Sequence, residues 1–570
     1  MKIPIPLAVA PVVLLWFVPC EAANDGKAAD ANTWRVAWQW TGDSLPPVLK
    51  LTFTNSTGAP VLLTDWELTG KDADRFAFEA NKPPASSTCE SNQSVAVRLA
   101  WNGFSSNSPA EASLRLVHEV NGANVTHDFD LREPTSLLPQ KYRIEGFLEK
   151  RNQPLVRDAR GRLVVHDTYH DGPMIERLLT AFAEDYPRIA SLREIGETWH
   201  GRKILGLRIT SGMRHECRKP AFLFVGAHHA NEPWSTEVVL DIIHQLATGY
   251  ASNPEVRRWV DQYEIWCVPL VNPDGLHNFF HVTGRGRKNG RDTNDNGLLD
   301  ASDGVDLNRN YPYRWHSLNE TGSNGDPAHG RYRGPSAGSE PETKAVMRLA
   351  DRERFVMLIS YHTSGSKVLV PYTIDGARNP HPDAAWIVGA HLAALSDTAR
   401  LDRDYTPVRK LYSVDGVDQD WHYWRHGTLA YLWEGPETLP SLERREKMIV
   451  GARPGWQYLL RRLEEGPTLS GHVHDGRTGK PIEAAVSIDE IETFEGEVHA
   501  SHPETGRFDR VLPIEGTYHL RVEKSGYRPA LFKTCVGRQW KHVRVHLWPR
   551  DEETPKQGTP RPAPSGDNSA

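Results

Sequence analysis

The chain has 570 residues and a formal net charge of −6. This length is too great for a single hydrophobic core, and we expect three or four domains. The weakly acidic balance gives no support for a nucleic-acid partner or for a polybasic contact with a membrane.

The first 22 residues have the pattern of a secretory signal peptide. Lys2 precedes an apolar run that ends before the small residues Ala22 and Ala23. The run is too short for a membrane-spanning helix, and no other segment approaches about 18 consecutive apolar residues. We therefore expect a secreted or periplasmic protein with no transmembrane segment. A lipoprotein lipidated at Cys20 is the alternative, which the preceding Pro19 disfavours.

Four cysteines remain after the signal peptide: Cys89, Cys217, Cys267 and Cys535. Export permits disulfide bonds. Cys217 and Cys267 lie in or before neighbouring strand candidates, but four cysteines allow three pairings, which the sequence cannot rank.

Residues 33–135 contain short runs in which apolar and polar residues alternate. Leu49, Leu51 and Phe53 are separated by polar residues, and a similar alternation recurs from Val95 to Trp101. This pattern predicts a β-sandwich, and it resembles the immunoglobulin-like modules of exported bacterial proteins. We interpret three tryptophans of this segment as core residues: Trp34, Trp38 and Trp40. The alternative is that they stack on sugars.

Near His166 the short alternating runs give way to predicted helices and buried strands. Pro173 starts a predicted helix, which Tyr186 and Pro187 end. The apolar run that begins at Ala221 is typical of a strand covered on both faces, and a helix-period pattern follows it. Between them lie His229 and Glu232, in the loop past the strand's carboxyl end, where open α/β sheets carry their chemistry. An imidazole and a carboxylate three residues apart in such a loop are suited to zinc.

Three further apolar segments are predicted as strands with polar groups at the same edge of the sheet. They are Val268 to Gly275, a strand that ends in a turn and leads to an arginine cluster that includes Arg287; Phe355 to Ser360, which is followed by His362; and Leu429 to Trp433, which is followed by Glu434. Four strand ends thus present histidine, glutamate and arginine together.

This constellation resembles the zinc carboxypeptidase family over residues 166–465. The resemblance implies a mixed eight-stranded sheet between helices. It also implies one zinc ion held by His229, Glu232 and His362. Three protein ligands leave a fourth zinc position for water, whose pKa the metal lowers to about 7.

The same resemblance implies roles for residues around the zinc. Arg287, in an R-K pair after N-P-D-G, would stabilise the oxyanion, and Glu434 would act as the general base. Asn308 and Arg309, in D-x-N-R-N, would hold the substrate's free α-carboxylate together with Tyr412. These roles predict hydrolysis of the C-terminal peptide bond of peptides or proteins.

Residues 292–303 match the EF-hand loop at positions 1, 3, 5, 6 and 9, with Asp at position 12 in place of Glu. The candidate calcium ligands are Asp292, Asn294, Asn296, Asp300 and Asp303. A turn rich in Asp, Asn and Gly without a metal is the equally open alternative, because flanking helix patterns are missing.

Substrate preference is less well determined. The chain resembles regulatory carboxypeptidases of the N, E and D type, which favour C-terminal Lys or Arg. The residues that carry this resemblance are Asn231 within H-x-x-E, and Gln419 and Asp420 before the base. Those enzymes carry an Asp soon after the third ligand, where this chain has Thr373, with Asp375 two residues further on. A basic preference is therefore a hypothesis.

The remaining residues complete a multidomain architecture. Residues 467–549 resemble the transthyretin-like β-sandwich that follows the catalytic domain of regulatory carboxypeptidases. Residues 550–570, rich in Pro, Gly, Ser and charge, are predicted to be disordered. We thus expect a central α/β mixed-sheet domain flanked by an immunoglobulin-like and a transthyretin-like β-sandwich.

The predicted function is that of a secreted zinc metallocarboxypeptidase whose partners are peptide or protein C-termini. A cell-wall peptide hydrolase or an amino-acid deacylase of the same fold is one alternative. An inactive surface-binding protein is another, and the complete set of expected ligands and base argues against it.

Overall fold

The chain divides into two compact units. The first comprises Met1–Leu148, Phe280–Gly284 and Asn294–Ala301, and the second comprises Glu149–Phe279, Arg285–Thr293 and Ser302–Ala570. The computed structural model describes residues 16–17, 34–41, 48–70, 73, 76–78, 87–101, 112–120, 122–131, 144, 147–212, 219–282, 285–294, 303–396, 398–401 and 404–550. The predicted tail after residue 550 and all but two residues of the predicted signal peptide lie outside these ranges.

The first unit contains two antiparallel sheets, with strand orders β1-β2-β3-β7-β5 and β6-β4-β8-β9. The strands are β1 (Trp16–Phe17), β2 (Trp34–Thr41), β3 (Val48–Asn55), β4 (Val61–Thr69), β5 (Phe76–Phe78), β6 (Ser87–Cys89), β7 (Ser94–Trp101), β8 (Ser113–Val120) and β9 (Ala123–Asp130).

One hydrophobic core serves both sheets of this unit. Phe53 in β3 and Trp66 in β4 belong to different sheets, and their ring centroids lie 4.8 Å apart. Leu49, Leu51 and Phe53 are fully buried, so the predicted alternation in β3 is confirmed. Trp34 is buried in the same core, whereas the side chains of Trp38 and Trp40 lie outside the described part of the chain.

The central sheet of the second unit has eight strands in the order β10-β11-β13-β12-β14-β17-β15-β16. Strand β12 is parallel to both β13 and β14, and β14 is parallel to β17. Antiparallel pairs also occur, so the sheet is mixed, as predicted. The strands are β10 (Ala190–Glu197), β11 (Lys203–Ile209), β12 (Ala221–Gly226), β13 (Glu264–Val268), β14 (Met357–Thr363), β15 (Lys367–Leu369), β16 (Thr406–Val408) and β17 (Leu429–Gly435).

Helices connect and cover these strands. Every residue of β12 is buried, as the unbroken apolar run predicted for a strand covered on both faces. The helices are α1 (Phe147–Arg151), α2 (Gly172–Asp185), α3 (Pro233–Gly249), α4 (Pro254–Gln262), α5 (Pro273–His277), a π-helical turn (Asn278–Val282), α6 (Pro341–Glu353), α7 (Ala384–Ala394), α8 (Thr398–Leu401), α9 (Asp418–His426) and α10 (Leu442–Glu465).

The strand predicted from Val268 to Gly275 is wrong in its bounds. Strand β13 ends at Val268, and α5 begins at Pro273. Prolines at 269 and 273 lack the N–H group that a strand ladder needs, and the Asn272 side chain accepts a hydrogen bond from Gly275 N at 2.8 Å. This cap favours a helix over a continued strand.

Strands β14 and β17 both extend further than the sequence pattern indicated. Their parallel pairing continues through His362 and Glu434, which are partners in the register. Strand pairing is made by backbone hydrogen bonds, which do not depend on side-chain hydrophobicity. Polar residues can therefore belong to the last positions of both strands. His362 and Glu434 consequently project from strand ends and not from the loops that follow.

The C-terminal part of the second unit contains two three-stranded sheets, with orders β20-β18-β23 and β19-β21-β22. Strands β18 and β23 are parallel, and the other pairs are antiparallel. Residues of both sheets form one core. The strands are β18 (Thr468–Asp475), β19 (Ala485–Ile488), β20 (Arg507–Val511), β21 (Gly516–Glu523), β22 (Ala530–Val536) and β23 (Lys541–Leu547).

Two further sequence predictions concern cysteines and membrane spans. The described cysteines Cys89, Cys267 and Cys535 carry free thiols, and Cys217 lies outside the described residues. Within the described ranges, none of the helices combines the length and hydrophobicity needed to cross a membrane.

Candidate metal centre

Three buried side chains meet at the carboxyl ends of β12 and β14. His229 and Glu232 lie in the loop between β12 and α3, and His362 lies near the end of β14. One ligand atom from each of the three lies within 4.8 Å of the others. The Nδ1 atoms of the two histidines are 3.2 Å apart, and the Glu232 carboxylate contacts Nδ1 of His229 at 3.0 Å and Nδ1 of His362 at 3.2 Å.

The tautomer of His229 follows from its neighbours. Its Nε2 contacts the Asp306 carboxylate at 2.9 Å, and a carboxylate accepts a proton. The guanidinium of Arg287, which can only donate, lies 3.2 Å from Nδ1 of the same ring. Both contacts favour the proton on Nε2, which leaves the Nδ1 lone pair facing the Glu232 carboxylate at 3.0 Å and Nδ1 of His362 at 3.2 Å.

This donor set fits a zinc ion. Zinc sites with an open fourth position typically have two imidazole nitrogens and one carboxylate as ligands. The far nitrogen of a ligating imidazole is typically hydrogen-bonded to a second carboxylate, as Nε2 of His229 is here. Nε2 of His362 is buried and has no hydrogen-bond partner within the described part of the chain. A cation between the two Nδ1 atoms and the Glu232 carboxylate would satisfy all three acceptors together.

Asp306 connects the histidine to the arginine, a role that the sequence analysis missed. Its second oxygen accepts hydrogen bonds from Nη2 and Nε of Arg287, at 2.7 and 3.0 Å. Burial alone would raise the pKa of Asp306, but the charges of Arg287 and His229 outweigh it and hold the pKa well below its usual range. The available signal was the first residue of the D-x-N-R-N motif.

Arg309 and Tyr412, two residues that are expected to hold a substrate carboxylate, lie together. A 3-10 turn (Leu307–Arg309) follows Asp306, whose side chain caps it by accepting a hydrogen bond from Asn308 N. The Arg309 guanidinium is buried and donates from Nη2 to the Tyr412 hydroxyl at 2.8 Å. The Tyr412 side chain is 45% exposed, which leaves it free to meet a ligand.

Asn308, which is expected to bind substrate, also has a contact inside the protein. It is almost fully buried, and its side-chain oxygen accepts a hydrogen bond from Asp418 N at 2.8 Å. That contact fixes the start of α9 beside the 3-10 turn. In this conformation Asn308 joins two segments of the site.

Glu434 lies on β17, beside His362 in the register of the sheet. Its Oε2 is buried and has no hydrogen-bond partner among the residues that the structure describes. Burial, followed by the charge of Glu232, raises the pKa of Glu434. A side chain at Gly365 would come within 3.0 Å of the Glu434 Cβ atom, so the glycine keeps that approach open.

Residues 175–441 match the family model for zinc carboxypeptidases. The chain carries a domain of the zinc carboxypeptidase family. Carboxypeptidase B of Helicoverpa zea is 28% identical over 284 residues, which are 48% of this chain and 64% of that protein. Carboxypeptidase D of Homo sapiens is 25% identical over 401 residues, which are 65% of this chain and 26% of that protein.

The chain therefore spans less than two thirds of the length of these curated relatives. Among solved structures, carboxypeptidase A from Helicoverpa armigera aligns with a TM-score of 0.47 and 19% identity, over 70% of this chain and 95% of that one.

The calcium-loop prediction for this carboxypeptidase domain falls largely outside the described residues. Asn296 and Asp300 are not described. The carboxylate of Asp303 accepts hydrogen bonds from Thr293 N at 2.9 Å and from the Thr293 hydroxyl at 3.1 Å. No finding supports a calcium ion here, and the site stays a prediction.

The position expected to carry the specificity acid is occupied by Thr373, which binds a different carboxylate. Thr373 N and its hydroxyl both donate to Oδ2 of Asp420 at 2.9 Å. Asp420 is fully buried, and burial raises its pKa to about 7. Asp375, the suggested substitute, is exposed and forms an ion pair with Lys410.

A loop of the C-terminal sheets holds segments that carry the site residues. The Glu495 carboxylate accepts hydrogen bonds from the Tyr313 hydroxyl (2.9 Å), from Arg314 Nη2 (2.7 Å) and from Arg378 N (2.9 Å). Tyr313 follows Arg309 by four residues. We call this group of contacts the Glu495 junction.

Two further contacts extend the Glu495 junction. Glu497 accepts a hydrogen bond from the Tyr372 hydroxyl at 2.8 Å, next to Thr373. The Trp424 indole in α9 donates to the Glu495 carbonyl oxygen at 3.0 Å. Three segments of the domain thus depend on one loop that lies far away in the sequence.

Proposed function

We propose that the protein is a zinc-dependent metallocarboxypeptidase that removes the C-terminal residue of peptides or proteins. The observation that carries the proposal is the convergence of His229 Nδ1, His362 Nδ1 and the Glu232 carboxylate. Glu434 and the Arg309–Tyr412 pair, both needed for such a reaction, lie on neighbouring segments of the same domain.

His229, Glu232 and His362 would hold the ion. When bound, zinc supplies a Lewis acid and lowers the pKa of water. The orientation of His229 is set by Asp306, which keeps the proton on Nε2.

Glu434 would accept the proton of the attacking water and later donate it to the departing amine. A carboxylate must hold a proton near neutral pH for this task, and the burial that raises the pKa of Glu434 favours it. Arg287 would stabilise the negative oxygen that develops on the scissile carbonyl. Its guanidinium is pre-oriented by two hydrogen bonds to Asp306, so little reorganisation is required.

Selection of a free C-terminus would rest on Arg309 and Tyr412. A guanidinium matches the planar geometry of a carboxylate with two parallel donors. Arg309 is anchored by its own chain, because Nε donates to Gly322 O at 3.2 Å and Nη1 donates to Asn308 O. The Nη2 edge, which contacts the exposed Tyr412, is the one available to a substrate.

The test is hydrolysis of blocked dipeptides with different C-terminal residues, with and without a zinc chelator. Glu434→Gln should lower kcat by about 100- to 10,000-fold, the usual contribution of a general base. Glu437→Gln is the matched control, because Glu437 lies three residues away and pairs with Arg444 at the surface. Chelator-insensitive release, or equal activity in the two variants, would contradict the proposal.

The same panel tests the hypothesis of a basic preference. Asp375, two residues after Thr373, is the carboxylate that would attract a C-terminal Lys or Arg. Lys-terminal peptides should then show a higher kcat/KM than Phe-terminal peptides. A preference for Phe would exclude it, and release only from cell-wall stem peptides would favour the related hydrolase activity.

We further propose an immunoglobulin-like sandwich at the N-terminus, a transthyretin-like sandwich at the C-terminus, and export from the cytoplasm. Paired antiparallel sheets around one core support the first assignment, and two small sheets around another core support the second. N-terminal sequencing of the protein recovered from outside the cytoplasm tests export. A start near residue 23 is expected, and retention of Met1 would contradict a cleaved signal peptide.

A further inference from the structure

One face of the sheet formed by β20, β18 and β23 carries four histidines outside the carboxypeptidase site. Alternate residues of each strand share a face, and Val473 and Val545, on the other face, are buried in the core. His474 and His546 are direct partners in the register of β18 and β23. The four histidines are His472, His474, His542 and His546, which we call the histidine face.

Two of these rings have nitrogen atoms at the spacing of metal ligands. Nδ1 of His472 and Nε2 of His542 lie 3.1 Å apart. Zinc–nitrogen bonds of about 2.0–2.1 Å would place an ion between these atoms with an angle near 100°, between the square-planar and tetrahedral values. The backbone of two adjacent strands sets this spacing, so binding would need little rearrangement.

The other two rings extend the same patch. The His474 and His546 rings stack with centroids 5.7 Å apart, and the His472 and His474 rings lie 6.2 Å apart. Nδ1 of His474 is buried and has no hydrogen-bond partner within the ranges that the structure describes. A buried imidazole nitrogen without a partner is unfavourable unless a ligand or water satisfies it.

The charges around the histidine face are mixed. Arg544 is the register partner of His472 on β23, and it would repel a cation. On the other side, β20 contributes Arg507, whose Nε lies 3.1 Å from the carboxylate of Asp509.

We propose that the histidine face binds a late first-row divalent cation, with His472 Nδ1 and His542 Nε2 as the protein ligands. Imidazole donors without carboxylates favour Cu²⁺, Ni²⁺ and Zn²⁺ over Mg²⁺ and Ca²⁺. Water completes the coordination, and His474 lies beside the open positions. The site is separate from the carboxypeptidase centre and does not depend on the proposed activity.

The experiment is titration of the full chain with Cu²⁺ after the carboxypeptidase site has been loaded with zinc. Wild-type protein, His542→Asn and His391→Asn are compared by calorimetry and by electron paramagnetic resonance. His391 is an exposed histidine on α7 and serves as the matched control. All three proteins share the same catalytic site, so the difference between them isolates the histidine face.

We expect one additional Cu²⁺ in the wild type, with a spectrum that reports two nitrogen ligands. His542→Asn should weaken this binding at least tenfold, and His391→Asn should leave it unchanged. Equal affinity in the wild type and His542→Asn would overturn the proposal. A wild-type spectrum with only oxygen ligands would overturn it too, without reference to any variant.

Discussion

Replacement of Glu495 by Ala should destabilise the protein through the Glu495 junction. The substitution removes the acceptor for Tyr313, Arg314 and Arg378 N, and the Glu495 side chain is only 9% exposed. The two hydrogen bonds that Tyr313 and Arg378 N donate to the ionised carboxylate are worth about 1.5 kcal/mol each, and the ion pair with Arg314, itself 31% exposed, contributes about 1 kcal/mol after solvent screening. We therefore expect a loss of about 4 kcal/mol.

The assay is urea denaturation followed by tryptophan fluorescence, to which Trp424 contributes, since its indole donates a hydrogen bond to the Glu495 carbonyl oxygen. Glu515→Ala is the matched control, since Glu515 pairs with the exposed Arg538 in the same region. That variant should change stability by less than about 1 kcal/mol. Equal loss in the two variants would refute the reasoning.

The same junction predicts a dependence on pH. Burial alone would raise the pKa of Glu495, but hydrogen bonds from Arg378 N, Arg314 and Tyr313 outweigh it and lower the pKa. A carboxyl whose pKa is lower in the folded state stabilises the fold above its unfolded pKa, and this contribution is lost as the pH falls through the folded value. The stability difference between the wild type and Glu495→Gln should therefore be full at pH 7 and shrink below about pH 4.5. A constant difference would contradict this assignment.

Three other variants address the carboxypeptidase site. Arg287→Ala should lower kcat by about 100- to 1,000-fold with a smaller change in KM, because the guanidinium acts on the transition state; an effect confined to KM would argue against that role. Asp306→Asn should weaken zinc binding about 10- to 100-fold in competition with a chelator, because the orientation of His229 is lost; unchanged zinc affinity would exclude it. Arg309→Lys should raise KM for peptides with a free C-terminus, since lysine lacks the paired donors, and equal KM values in the variant and the wild type would contradict carboxylate binding.

The sequence was informative where chemistry depends on residues close together in the chain. His229 and Glu232 are three residues apart after a buried strand, and that strand could be predicted from the apolar run that precedes them. The parallel order of β12, β14 and β17 then brings His362 and Glu434 to the same edge. Hydrophobic patterning is sufficient to locate such strands, although not their ends.

Other features depend on contacts between distant segments and were not accessible from local patterns. Asp306 orients His229 across 77 residues of sequence, and its own motif, D-x-N-R-N, does not identify that distant partner. Glu495 reaches Tyr313 across 182 residues. The strand predicted to start at Val268 was wrong for a local reason. The apolar residues continue beyond Val268, but Pro269 lacks the backbone N–H group that strand pairing needs.

The parallel pairing of β18 and β23 has a consequence for synthesis of the protein. Strand β18 lies in the middle of its sheet, yet one of its two neighbours is the last strand of the region in chain order. On the ribosome, that edge of β18 stays unpaired until residues 541–547 have left the exit tunnel. An exposed strand edge is a template for association with other chains. Premature release before β23 should therefore yield aggregation in preference to a smaller soluble product.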